Sequence, residues 1–203
     1  EILSDTMLKE NYIHVCYFES GFDQDTTLGW YPLTIQFTDT SDVINTSVSA
    51  WRWDFDNNGS FESYEQNPEY TFEQPGLYTV KQIIIDTSGF LKDTTVKEDL
   101  IMVKQFDAGF IADKIYGELP LPINFTNTSQ IFGTEITQYE WDFENDGIID
   151  SYEESPTLIY FETGNYSVKL ILNGLDAGEI LSDTMLKENY IHVCYFESGF
   201  DQD

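Results

Sequence analysis

Twice in this chain, oxygen-bearing side chains alternate with other residues up to a glycine and then continue. The first set is Asp54, Asp56, Asn58, Gly59, Ser60, Glu62 and Glu65; 88 positions later come Asp142, Glu144, Asp146, Gly147, Ile148, Asp150 and Glu153. Counted from the leading aspartate, these occupy positions 1, 3, 5, 6, 7, 9 and 12, the spacing of a twelve-residue calcium loop. Calcium is a hard cation that takes about six to eight oxygens, and position 7 lends only its backbone carbonyl, so Ser60 and Ile148 both suit. Glu65 and Glu153 would supply the bidentate carboxylate. The pattern predicts calcium as the cofactor, and oxygen-only ligands argue against zinc. The competing reading is an acidic turn, with Asn58-Gly59 and Asp146-Gly147 chosen for positive φ and the carboxylates simply solvated. Two departures favour it: the loop leaves a strand where the helix-loop-helix calcium site leaves a helix, and Glu144 is longer than the usual residue at position 3.

The elements that must hold these loops are short strands. Trp53-Asp54-Phe55 and Trp141-Asp142-Phe143 lead into them, and strand alternation predicts Trp53 and Phe55 in the core with Asp54 and Asp56 on a charged face. Around them lie further alternating runs: Leu33-Ile35-Phe37, Tyr70-Phe72, Tyr78-Val80-Gln82-Ile84 and Leu100-Met102. Turn residues such as Asn67-Pro68 and Pro75-Gly76 separate them. Such spacing reads as an all-β sandwich, with no long helical period in competition.

Repetition sets the organisation. Residues 1–25 return letter for letter as residues 179–203, a period of 178 that itself contains two similar halves. Pro32 to Thr38 matches Pro120 to Thr126, Tyr78-Thr79-Val80 matches Tyr166-Ser167-Val168, and Asp93 to Ile101 matches Asp183 to Ile191 after two extra residues near 173–178. The expected division is a domain over 18–104, a second over 105–194, the closing strands of a preceding domain over 1–17, and the start of the next repeat over 195–203. A window cut from a longer tandem array accounts for the identical ends.

The residues Trp53-Asp54-Phe55, Asn67-Pro68 with Tyr70-Thr71-Phe72, and Pro75-Gly76-Leu77-Tyr78-Thr79-Val80 resemble the polycystic-kidney-disease (PKD) repeat. So do Trp141-Asp142-Phe143, Ser155-Pro156, Ile159-Tyr160 and Gly164-Asn165-Tyr166-Ser167-Val168. The resemblance covers almost the whole chain and implies tandem immunoglobulin-like β-sandwiches, an extracellular or cell-surface location, and a structural or adhesive task rather than an activity. It also makes Tyr78 and Tyr166 tyrosine-corner residues, each tethering backbone through its hydroxyl. Where the family follows its Trp-x-Phe with Gly-Asp-Gly, this chain has the longer acidic loops.

Composition excludes several classes. Nine Lys and Arg against 37 Asp and Glu leave a net charge of -28, which repels nucleic acid and anionic membranes and favours divalent cations. No stretch approaches the roughly 20 apolar residues of a membrane helix, so no membrane insertion is expected in this segment. His14 and its duplicate His192 are the only histidines, which leaves no Ser-His-Asp set and predicts no enzyme. Cys16 and Cys194 occupy one position in successive repeats, so an intrachain bridge is not expected; a free thiol and an interchain contact between fibres are the alternatives. Asn45 and Asn127 lead the Asn-x-Ser/Thr sites as glycosylation candidates.

Together these expectations describe a fibre, stalk or adhesin shaft, calcium-stiffened and able to form filaments. The partners are identical repeats in the same chain or in neighbouring subunits, and surface glycans or other cells. A neighbour's sandwich completed by the strand near Asp5 to Val15 is one route to assembly. The alternative is an accessory carbohydrate- or protein-binding module of a secreted enzyme, with Trp30, Tyr31 and Trp51 as a stacking platform.

Overall fold

The structure, a computed structural model, describes residues 15–195 together with Met7. His14, most of the expected strand over 1–17 and most of the segment 195–203 lie outside the described residues. The chain divides into two compact units, Glu1–Val103 and Lys104–Asp203. Among the described residues no helix is long and apolar enough to cross a membrane.

In the first unit the strands are β1 (Tyr17–Glu19), β2 (Phe22–Gln24), β3 (Leu28–Trp30), β4 (Leu33–Asp39), β5 (Asp42–Ile44), β6 (Val48–Asp54), β7 (Glu69–Phe72), β8 (Gly76–Asp86) and the first part of β9 (Lys92–Asp107), whose residues from Lys104 onward belong to the second unit. The second unit adds β10 (Phe110–Ala112), β11 (Tyr116–Glu118), β12 (Leu121–Asn127), β13 (Gln130–Phe132), β14 (Glu135–Asp142), β15 (Thr157–Tyr160), β16 (Gly164–Asp176) and β17 (Glu179–Cys194).

The first unit packs the sheet β2-β4-β7 against β6-β8-β9, with β3 on β9 and a separate β1-β5 pair. The second packs β10-β12-β15 against β14-β16-β17-β11, and residues Gln105 to Asp107 pair with β13 as β1 pairs with β5. These are two immunoglobulin-like sandwiches. Alternation produces them directly: in β4 the residues Ile35 and Phe37 are buried while Thr34, Gln36 and Thr38 are exposed.

Each core centres on the tryptophan of the strand that feeds the acidic loop. Trp53 is fully buried among Phe22, Phe37 and Phe55, with ring centroids 5.2, 5.7 and 5.9 Å away. Trp141 repeats this against Phe110, Phe125 and Phe143. Edge-to-face and offset ring pairs of this kind add about 0.5–1.5 kcal/mol each beyond burial.

The two extra residues of the second half lengthen one hairpin. In the first unit β8 and β9 pair as far as Ile85 with Lys92; in the second, β16 and β17 continue to Asp176 with Glu179. The turn Ala177-Gly178 has φ of 50° and 90°, both in the left-handed region that a two-residue hairpin of this hand requires. Lys104 Nζ closes the base of that turn on Asp176 at 2.6 Å.

The tyrosine corner is present in both units. Tyr78 Oη donates to the Gln74 carbonyl at 2.8 Å and Tyr166 Oη to the Glu162 carbonyl at 2.9 Å.

Candidate metal centre

The acidic loop starts at the end of β6 and is closed by its own return. Trp53 N–H donates to the Ser63 carbonyl, and Glu62 N–H donates back to the Trp53 carbonyl, both at 2.9 Å. In the second unit Trp141 and Ser151 form the same isolated bridge. Asn57 and Gly59 turn the chain with φ of 53° and 94°, and Asn145 and Gly147 with 57° and 90°; asparagine and glycine are the residues that tolerate this region.

Asp54 corrects the simple alternation picture. It does not face solvent: it is 0% exposed, as is Asp142. A buried carboxylate must have partners, and the loop supplies them. Oδ1 accepts the Asn58 N–H and Oδ2 the Gly59 N–H, each at 3.1 Å. The ammonium of Lys81, directly opposite on β8, completes the set at 2.5 Å. In the second unit Asp142 takes the N–H groups of Asp146 and Gly147 at 3.1 and 2.9 Å and the Lys169 ammonium at 2.7 Å. Burial pushes the Asp142 carboxyl up, but the lysine and the two N–H donors outweigh it and hold the group below the ordinary carboxylate value.

Three carboxylates converge in each loop. Asp54, Asp56 and Glu62 bring one oxygen each within 4.8 Å of one another, and Asp142, Glu144 and Asp150 do the same. These groups could hold an ion. In the second, burial raises the Glu144 carboxyl above its usual value, and the charges of Asp150, Asp146 and Asp142 add to it.

The remaining loop residues are placed differently from the twelve-residue pattern. Asn58 Oδ1 accepts the Ser60 N–H at 2.7 Å while its amide donates to Asp56 Oδ2 at 2.8 Å; Asp146 Oδ1 accepts the Ile148 N–H at 2.8 Å. Position 5 thus braces the turn. Glu62 and Asp150 also brace it, accepting the N–H of Phe55 and Phe143 at 2.9 and 2.8 Å. Glu65 and Glu153 stand outside the triads. Their backbone carbonyls accept the Trp53 and Trp141 indole N–H at 2.8 and 2.9 Å, because a strand that folds back on itself carries position 12 under the tryptophan.

Lys81, Lys169, Asn57 and Asn145 are the residues that the spacing argument missed. Each lysine also donates to the neighbouring asparagine Oδ1 at 3.1 Å. The available signal was recurrence: a lysine and an asparagine repeated at the 88-residue spacing, in a chain with so few cations.

Other candidates have their places too. Asn45 is exposed, but its amide nitrogen, the atom a glycan would take, donates to the Val15 carbonyl at 2.8 Å. Asn127 is half-buried, with Oδ1 held by the Ser129 hydroxyl at 2.6 Å and the Ser129 N–H at 3.0 Å. Cys16 is exposed, its thiol 3.7 Å from the Asn45 carbonyl; Cys194 is half-buried. His192 Nδ1 lies 2.7 Å from Asn165 Oδ1. Trp51 is half-buried and donates to Asp39 Oδ2 at 2.9 Å, whereas Trp30 is exposed.

Family models for the PKD domain match residues 20–101 and 110–174. Among solved structures, the chain is similar to the PKD1 domain of the Vibrio cholerae metalloprotease PrtV, with 24% identity, 42% of this chain and 95% of that one covered, and a TM-score of 0.35. It is similar also to the PKD1 domain of Vibrio anguillarum Epp, with 23% identity, 44% and 96% covered, and a TM-score of 0.35. The full ectodomain of mouse nectin-like molecule 4, three immunoglobulin domains, aligns at 10% identity over 90% of this chain and 66% of that one with a TM-score of 0.52, a likeness of fold alone. Both matched segments are non-catalytic domains, and the chain belongs to the PKD family, two of whose domains it carries in tandem.

Proposed function

We propose that this chain is a structural segment of a longer extracellular tandem-repeat protein, a shaft or stalk built of alternating PKD sandwiches. The observation that carries the reading is the return of residues 1–25 as residues 179–203, unchanged, around a pair of similar domains. Near-identical neighbours suit a protein whose task is length and shape. A secreted or surface location, typical of PKD domains in bacterial proteins, accords with it. The charge supports the same setting: Lys81, Lys97, Lys104, Lys169 and Lys187 are all engaged with carboxylates or backbone carbonyls, so the outer surface is left strongly anionic. Such a surface is soluble, repels its copies at low salt, and gathers divalent cations.

Calcium is the cation we assign to the loops, held by Asp54, Asp56 and Glu62 in the first unit and by Asp142, Glu144 and Asp150 in the second. It would relieve the repulsion among these carboxylates and stiffen the turn, linking metal to stability by mass action. The test of the shaft is small-angle scattering from a chain carrying two successive 178-residue repeats. An extended, rod-like particle is expected; the profile of a freely jointed chain of sandwiches would refute the reading. The alternative is an accessory carbohydrate- or protein-binding module with Trp30, Tyr31 and Trp51 as its platform; binding to a glycan panel would favour it.

A further inference from the structure

The ammonium of Lys81 sits against Asp54 Oδ2 and Asn57 Oδ1, and that of Lys169 against Asp142 Oδ2 and Asn145 Oδ1. We propose that this ammonium and a divalent cation are alternative occupants of one anionic loop, so that the lysine keeps the loop folded without metal and weakens its hold on metal. The metal half rests on the calcium reading above; the lysine half does not.

Three observations carry the inference. First, the leading aspartate is wholly buried and both its oxygens already accept loop N–H groups. What it still requires is a positive charge, and the lysine provides one from within the fold. An exposed acidic turn would need no such cation. Second, the aspartate belongs to the carboxylate triad, and Oδ2 is the oxygen that the lysine holds. A divalent ion shared by the triad must either take the other oxygen beside a like charge or displace the ammonium. Third, the lysine can leave. Its side chain is 18% exposed in the first unit and 19% in the second, and a long flexible stem lets the head move into water while its methylenes stay packed. The arrangement recurs in both units with nearly the same distances, although their loops differ at positions 3, 5, 7, 8 and 9.

The inference makes the lysine a determinant of metal affinity that the loop spacing does not reveal. Removing it should expose the full negative charge of the triad, tightening calcium binding by about tenfold or more, since charges this close interact strongly at a partly buried site. It should also make the fold depend on metal.

The test compares the full chain with Lys81→Met/Lys169→Met, using calcium chloride as the only added ligand at fixed ionic strength. Calorimetric titration reads affinity; melting with chelator and with calcium reads stability. The variant is expected to melt lower than the native chain in chelator, to recover with calcium, and to bind calcium about tenfold tighter. Calcium binding by the native chain with none tighter in the variant would overturn the inference and leave the calcium reading standing. No binding by the native chain but binding by the variant would uphold the inference and mean that the native loops are filled by lysine. Binding by neither would sink both. Should the double variant fail to fold, Lys169→Met alone keeps the first unit intact, and the ratio is read at the second loop.

Discussion

The backbone N–H and the hydroxyl of Ser20 both donate to one oxygen of Asp93, at 2.8 and 3.0 Å, and this fastens the entry of the first unit to its closing strand. Ala108 N–H makes the corresponding bond to Asp183 at 2.7 Å, without a hydroxyl. The Ser20 N–H does most to hold the Asp93 carboxyl below its ordinary value, its hydroxyl adds to this, and partial burial opposes them. A carboxyl with a depressed folded value stabilises the fold above the unfolded value, about 3.9, and loses that contribution as pH falls through the lower folded value. Asp93→Asn is therefore expected to lower the melting temperature at neutral pH by the equivalent of about 1 kcal/mol and to match the native chain near pH 2. Melting curves from pH 2 to 7 check it; a constant difference across that range would contradict the account.

A second carboxylate distinguishes the units. Asp39 accepts from the Ser41 hydroxyl, the Trp51 indole, the Gln66 amide and the Gln82 amide, while the second unit has Asn127, Tyr139, Glu154 and Leu170 at the matching positions. Among the described residues Gln82 Oε1 is buried with no partner. Gln82→Leu should thus be mild, because it removes an unsatisfied oxygen along with one donor. Asp39→Asn should cost about 1.5–3 kcal/mol, the range for bonds to a charged group. The double variant should cost less than the sum, since the two residues share one network. Urea unfolding of the four proteins tests this; strict additivity would contradict it.

Gly174 stands where the first unit has Asp86. A Cβ there would lie 2.4 Å from the Glu135 carbonyl oxygen and 2.4 Å from the Phe106 ring, and the backbone oxygen cannot yield. Gly174→Ala is expected to destabilise the second unit by about 1–3 kcal/mol through overpacking. Gly21→Ala, with contacts no closer than 3.2 Å, should be better tolerated. Chemical denaturation that moves only one of two transitions for Gly174→Ala would agree; equal effects for the two substitutions would not.

Much of the fold was legible because its cause is local. Period-2 alternation marks Ile35 and Phe37 as inward, and the paired Trp-x-Phe strands identify the centre of each core. Tyr78 and Tyr166 tether the carbonyls that their position after Gly-x implies. The loop was only half legible. Spacing located the carboxylates of Asp54, Asp56 and Glu62, which do converge, whereas Glu65 at position 12 lies outside that group. The real loop returns as a hairpin and turns the Glu65 carbonyl to the Trp53 indole. Nor could alternation show that Asp54 is buried, because its partner Lys81 lies 27 residues away on another strand. Cross-strand register, which no local window contains, decides that pairing.

The most direct test of a structural shaft is to pull on it. Force-extension of a chain of tandem repeats should give discrete unfolding events, two for each 178-residue repeat, each releasing roughly 25–30 nm, the extended length of about 88 residues less the folded length. Calcium should raise the unfolding force. Smooth extension without discrete events, with or without calcium, would contradict the account of these PKD domains as load-bearing elements.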